Sequence, residues 1–494
     1  MSPWATGLLT SLVWFAACAR PDASGQERLE GDQLLVLEGA TLIDGTGAAP
    51  RPGATVVVQN GRILRVGARG EFRYPADARV LDLAGRYLVP GFIDTHAHVA
   101  ILRWKQQADG TLQGTYSREV SERVLRALLA LGVTTVRNPG APTAEEGVRL
   151  RDAVASGAVL GPRILTAGSV LVVPPGPRAE AAVREEVRQQ AEAGVDMIKL
   201  SPGLPPVLVK AAIEEAHARD LTVVGHLQRT TWTEAARLGI DAITHGSPWA
   251  PEYLAAHRRG AYQQTMRGRL DWLEWVDLQG PEITEMIDAL VRHRVPVDPT
   301  LIAYHTKFWG DDPRHLENPE RFLIPEILED WNAVGGFTND WTPEDYRRGK
   351  RLWPKVLQLV KLYHERGVLL AAGSDLPNAW VVPGVSFHQE LQLLADAGIP
   401  ASEVLRIATR NGARTLGIDG EVGTIEAGKV ADLLVLGADP TASLAHTRRI
   451  ECVLRAGALY SPRALLDSIG ATQVRAQSCP FTAEPRAQPG GEPE

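Results

Sequence analysis

Gly91-Phe92-Ile93-Asp94-Thr95-His96-Ala97-His98 is the stretch on which the reading of this chain turns. A short apolar run suited to a buried strand leads straight into an alternating pair of histidines. In an extended backbone, residues two apart point the same way. His96 and His98 therefore present both imidazoles to one spot, which is how zinc and related metals are gripped.

Gly91–Asp94 is the first of eight such runs. The others are 133–136, 163–166, 197–200, 221–224, 242–244, 295–297 and 369–372. Amphipathic helical patterns, for instance 119–131 and 182–193, lie between them. Parallel strands need a crossover that is usually a helix, so this alternation predicts an α/β fold. Eight β/α units over about 300 residues predict a (β/α)8 TIM-like barrel spanning 89–419. Pro296 weakens the seventh run as a strand. A doubly wound open sheet is the alternative, but no glycine-rich phosphate fingerprint follows the first run.

Outside the barrel the texture changes. Residues 33–88 alternate short β-rich runs with glycine turns, among them Asn60-Gly61 as a hairpin signal. β-texture returns at 420–462, in Ala431–Leu436 and Cys452–Gly457. The two segments are expected to combine into a small β-sandwich domain built from both chain ends. Within the barrel, 247–294 and 302–368 read as long loops, which on an active face serve as lids or substrate walls. Eight of the 12 tryptophans lie between Trp249 and Trp380. They suit either an aromatic-walled pocket or a small core of their own.

The 494 residues carry 52 basic and 59 acidic side chains, a formal net charge of −7. That balance argues against nucleic acid as a partner, because phosphate binding needs a basic face. Three cysteines exclude a disulfide-rich scaffold and a Cys-based zinc ribbon. Trp4–Ala19 is apolar and uncharged and stops at Arg20-Pro21-Asp22, so 1–19 reads as a secretory or lipoprotein signal. Ala17-Cys18-Ala19 resembles a cleavage site, and Phe15-Ala16-Ala17-Cys18 a lipobox whose Cys18 would be lipidated and tether the chain to a membrane. Export to a bacterial periplasm, or anchoring there, is the expectation. Cys452 and Cys479 could pair in such a compartment, stabilising the fold by about 3 kcal/mol. Residues 473–494, rich in Pro, Gly and Glu, are expected to be disordered.

Further candidate ligands sit at the C-terminal ends of other runs: Lys199, His226, His245 and Asp375. That end of a barrel is where active sites are built. Tyr304 and His305, just past the seventh run, and Arg137, at the end of the second, are candidate substrate contacts. His388 and Glu390 read as support for the site or as a helix start.

Pro90–His98, Gly194–Lys199, Asp241-Ala242-Ile243-Thr244-His245-Gly246, Ala372–Asp375 and Gly423–Asp432 together resemble the amidohydrolase superfamily. The nearest branch is the imidazolonepropionase-like and Xaa-Pro dipeptidase-like one. The resemblance implies two divalent metal ions, zinc foremost. His96 and His98 would bind the more buried ion, and His226 and His245 the more exposed one. Lys199 would be carboxylated and bridge the two. Asp375 would ligate the inner ion and shuttle a proton as a metal-activated hydroxide cleaves a C–N amide bond, in a dipeptide or N-acyl amino acid. Hydrolysis of a cyclic amide, deamination, and ester or lactone hydrolysis are the alternatives on the same barrel. A homo-oligomer is expected. One departure stands in Arg137-Asn138-Pro139-Gly140, where the branch commonly has Arg-Asp-Gly; Asn138 keeps hydrogen bonding but loses a charge.

Overall fold

The computed structural model describes residues 27–29, 34–172, 179–333 and 341–481. The N-terminal signal expected at 1–19 and the end of the tail, 482–494, lie outside the described residues. No helix among the described residues is long and apolar enough to cross a membrane.

The apolar runs of the sequence become parallel strands in chain order. Phe92–Asp94 pairs with Val133–Asn138, which pairs with Arg163–Thr166. Met197–Leu200, Thr222–Gly225, Ala242–Thr244 and Val297–Asp298 form a second parallel set. Single parallel bridges connect the sets: Ala167 with Met197, Val297 with Leu370, and Ala97 with Leu376. The last of these joins the segment that follows the eighth run to the segment that follows the first. The strands are almost wholly buried, as parallel strands covered by helices must be. Helix Arg118–Ala130, for example, starts at a Ser117 cap and buries Val120, Val124, Leu125 and Leu128. Its alternation of polar and apolar faces is the period that sets it against the strands.

The two chain ends meet in one mixed sheet. Leu433–Leu436 runs antiparallel to Tyr87–Pro90 and to Ile450–Arg455, while Leu35–Leu42 pairs with Arg51–Gln59, Arg79–Asp82 and Tyr87–Pro90. Among the described residues a second layer is given only by the short pairing of residues 27–28 with 72–73.

Two expectations are corrected. The stretches read as long loops are helical: the first holds Gly268–Trp275 and Pro281–His293, the second Leu301–Phe308, Pro325–Ala333 and Pro343–Glu365. Composition also misjudged the start of the tail. Helix Pro462–Asp467 packs on helix Arg118–Ala130, Val474 is fully buried, and Cys479 is disulfide-bonded to Cys452 with Cα atoms 4.9 Å apart. Apolar contacts and a covalent tie order residues 473–481 that low hydrophobicity alone would leave loose.

Candidate active site

The strand ends bring the candidate ligands together through the backbone itself. The Asp375 N–H donates to the His96 carbonyl at 2.6 Å, the His98 N–H to the Leu376 carbonyl at 2.6 Å, and the His245 N–H to the Asp298 carbonyl at 2.7 Å. His245 (φ 77°) and Asp375 (φ 57°) adopt left-handed backbone, which non-glycine residues rarely do. Such positions cost on the order of 1–3 kcal/mol and cluster where function fixes a side chain. Here each turns its side chain inward over the strand ends.

His96 Nε2 lies 3.2 Å from Asp375 Oδ1, and His98 Nε2 and His245 Nδ1 each lie 3.9 Å from the Asp375 carboxylate. His245 Nε2 approaches His226 Nδ1 at 3.2 Å. His96, His245 and Asp375 each offer a donor atom within 4.8 Å of the others, a spacing that suits one metal ion. Lys199 is buried at the end of its strand, and its Nζ donates to Thr244 Oγ1 at 3.2 Å.

The far nitrogens of these rings are held from behind. His96 Nδ1 donates to Asp298 Oδ1 at 2.9 Å, and His98 Nδ1 donates to the Gly140 carbonyl at 3.2 Å. Each bond fixes a tautomer whose Nε2 lone pair faces the cluster, as metal-binding imidazoles require. His245 Nδ1 is 2.8 Å from Thr300 Oγ1. Asn138 keeps a supporting role without the charge: its Oδ1 accepts from the Val99 N–H at 3.1 Å and its Nδ2 donates to Thr166 Oγ1 at 2.9 Å.

The electrostatics match. Burial with the Lys199 and Arg269 charges pushes the His226 pKa far below the usual range, burial with His226 and His96 does the same to His245, and burial with His96 takes His98 down to about 4. Burial also works against the Asp375 anion, but His96, His98 and Lys307 outweigh it and hold the carboxyl well below its ordinary value. Burial lowers Lys199 to about 8, with Asp298 pulling up and Arg137 pushing down. Asp375 and Asp298 push His96 upward against burial, so the ionised carboxylate faces His96 as a charge partner beside three imidazoles held neutral, a set of nitrogen and oxygen donors that divalent metals take. His226 Nε2 is buried with no hydrogen-bond partner. An orphaned buried nitrogen among such donors is what a metal site presents.

Arg137 is corrected as a substrate contact. Its guanidinium donates to the Thr95 carbonyl and to Asp298 Oδ2 among the parallel strands and is 2% exposed. It neutralises the carboxylate that orients His96. Tyr304 lies edge-on to His245, ring centres 5.9 Å apart, and its hydroxyl accepts from Trp249 Nε1. His305 stacks on Trp309 at 4.2 Å, among Phe308 and Trp353. His388 and Glu390 sit inside helix Val385–Asp396, where His388 Nε2 donates to the Leu131 carbonyl and Glu390 accepts from the Ile302 N–H.

Sequence reading missed Asp298, Arg269 and Lys307. Asp298 ends the seventh strand just as the named ligands end theirs, so the signal was available. Arg269 and Lys307 come from helices that carry no motif. A cavity of about 320 Å³ opens beside the cluster, with His98 and Asp375 in its lining and Ile101, Trp104, Ile327 and Trp331 among its walls.

Residues 87–459 match the model of the amidohydrolase family. This chain belongs to that family. The amidohydrolase is 25% identical over 434 residues to a dihydroorotase of Anaeromyxobacter dehalogenans, covering 82% of this chain and 88% of the relative. It is 26% identical over 405 residues to a 5-methylthioadenosine/S-adenosylhomocysteine deaminase of Desulfitobacterium hafniense, covering 78% and 81%. Among solved structures, a candidate prolidase from Bifidobacterium longum superposes with a TM-score of 0.61 at 26% identity, over 89% of this chain and 99% of that one. The protein is a hydrolase acting on C–N bonds, and its family is metal-dependent.

Proposed function

We propose that this amidohydrolase cleaves the amide bond of a dipeptide or N-acyl amino acid. Two divalent ions, zinc by the donor set, would be held by His96, His98, Lys199, His226, His245 and Asp375, with Lys199 carboxylated to serve both. The observation that carries this reading is the convergence of His96, His98 and His245 on the ionised Asp375, with His226 against His245. The buried, unpartnered His226 Nε2 adds to it. The likeness to the candidate prolidase favours a peptide-like substrate.

Divalent ions in this set would lower the pKa of a coordinated water from about 15.7 to around 7 and polarise a carbonyl. The chain's own groups do the rest. Asp375, held ionised, takes the proton of the attacking water and delivers it to the leaving nitrogen. Asp298 and the Gly140 carbonyl keep His96 and His98 in their tautomers throughout. Lys199 is buried among metal donors, where an ammonium beside cations would be repelled; this supports its conversion to an anion. Hydrolysis of a cyclic amide is the second reading, favoured by the likeness to a dihydroorotase.

A screen of the zinc-loaded protein against dipeptides, N-acyl amino acids, dihydroorotate and adenosine derivatives tests the proposal. Turnover of the first two groups, abolished in metal-replete Asp375→Asn, is expected. Turnover of only the latter two would overturn it.

We further infer export, with a membrane tether through lipidated Cys18, and homo-oligomeric assembly. The Cys452–Cys479 disulfide supports an oxidising compartment. An intact Met1 on the mature protein would contradict export. We read the sequence of parallel pairings as a closed (β/α)8 barrel and the mixed sheet with its short second layer as the β-sandwich.

A further inference from the structure

Two cations meet on one ring beside the ligand cluster. Arg269, on helix Gly268–Trp275, places its guanidinium carbon 5.8 Å from the Tyr304 ring centre and 5.5 Å from that of Trp249. Lys307, on helix Leu301–Phe308, places Nζ 5.4 Å from the same Tyr304 ring. That ring lies edge-on to His245 at 5.9 Å. Among the described residues no carboxylate forms an ion pair with Arg269, although its side chain is partly withdrawn from water. A guanidinium in such a place is stabilised by a ligand that brings the missing anion, and its planar fork fits a carboxylate. Both cations act on the cluster: Arg269 helps depress His226, and Lys307 helps hold Asp375 ionised.

The apolar cavity approaches the cluster from elsewhere. It reaches His98 and Asp375, on the first and eighth runs, whereas the cations arise after the sixth and seventh strands. Trp104 and Trp331 give it aromatic walls, and Trp331 is fixed by donating Nε1 to the Pro377 carbonyl at 2.8 Å. About 320 Å³ with a mostly apolar lining suits a phenyl-sized group or larger.

We propose that Arg269 and Lys307 read a free carboxylate on one side of the scissile amide, while the Trp104–Trp331 cavity takes a bulky apolar or aromatic group on the other. The proposal rests on the amide-hydrolase reading above and narrows it to substrates with these two poles. Small dipeptides without an apolar side group, and neutral amides, are poor fits.

Calorimetric binding to the metal-loaded protein tests it with probes that carry a ketone in place of the scissile amide, the carboxamide being confirmed intact by chromatography afterwards. They are 3-benzoylpropionate, its neutral carboxamide, and 4-oxopentanoate, in which methyl replaces phenyl. We expect 3-benzoylpropionate to bind at least tenfold more tightly than either of the others. Arg269→Gln and Lys307→Gln, at unchanged metal content, lose the preference for acid over carboxamide, and Lys307→Arg retains it. Trp104→Ala loses the preference for phenyl over methyl and keeps that for the acid. Equal binding of acid and carboxamide, absence of binding at millimolar concentration, or an acid preference that survives both Gln variants would overturn the proposal. Turnover plays no part in these measurements. Selective binding by a protein that hydrolyses no amide would therefore refute the proposed function and leave the two-pole site standing.

Discussion

Asp298 is the buried carboxylate on which the site is hung, and Asp298→Asn tests its role directly. It accepts from His96 Nδ1 at 2.9 Å and from the Arg137 guanidinium, and it is fully shielded from water. The substitution keeps size and shape but removes the only charge that, among the described residues, faces Arg137 at hydrogen-bond distance. Removing one partner of a buried ion pair typically costs about 3–5 kcal/mol, because the other charge is left uncompensated. Asparagine can still accept one hydrogen bond from His96, so metal affinity should fall about tenfold, the low end of the 10–100-fold seen when outer partners of ligands are lost. Urea denaturation of the apoprotein and chelator competition on the holoprotein separate the two effects. Adding Arg137→Gln removes the stranded charge. The double variant should recover much of the stability and none of the metal affinity. Stability within about 1 kcal/mol of the native protein in Asp298→Asn, or metal affinity restored by Arg137→Gln, would refute this assignment.

Three further outcomes follow from particular contacts. Lys199→Ala should retain less than half the native metal content, with partial recovery in short carboxylic acids; undiminished metal would contradict the bridging role. Cys479→Ser opens a disulfide that spans 27 residues and should lower unfolding stability by about 3 kcal/mol in a thermal or urea melt, whereas a melt unmoved by either mutation or reduction would show that the bond contributes nothing. His388 is held by burial, and by the Arg448 charge, at about 3, against about 6.5 when unfolded. The unfolded chain therefore binds the extra proton between these values, and stability falls as pH drops through that window by up to about 1.4 kcal/mol per pH unit. His388→Gln, whose amide can donate to the Leu131 carbonyl, should flatten that slope by about one proton; an identical slope would exclude His388 as the cause.

The parallel α/β core was legible because buried strands need unbroken apolar runs, and these runs end in the residues that carry chemistry. His96, His98, His226, His245, Lys199 and Asp375 could be named together because a barrel gathers its strand ends at one mouth. Asp298 shared that position, but Pro296 beside it weakened the strand from which it would have been read. Arg137 misled for a related reason: it lies near the end of a strand too, yet its long side chain turns to the buried Asp298. Arg269 and Lys307 left no trace in the sequence, since insertion helices place them by tertiary packing and not by any local period. The tail up to residue 481 was misread because composition registers the average hydrophobicity of a segment, not a single buried Val474 or one disulfide.

Anomalous diffraction from crystals of the zinc-loaded protein measures the central claim most directly. Two peaks among His96, His98, His226, His245 and Asp375, with Lys199 Nζ extended by a carboxylate between them, are predicted. Peaks elsewhere, or a Lys199 that remains a plain amine beside a lone ion, would contradict it.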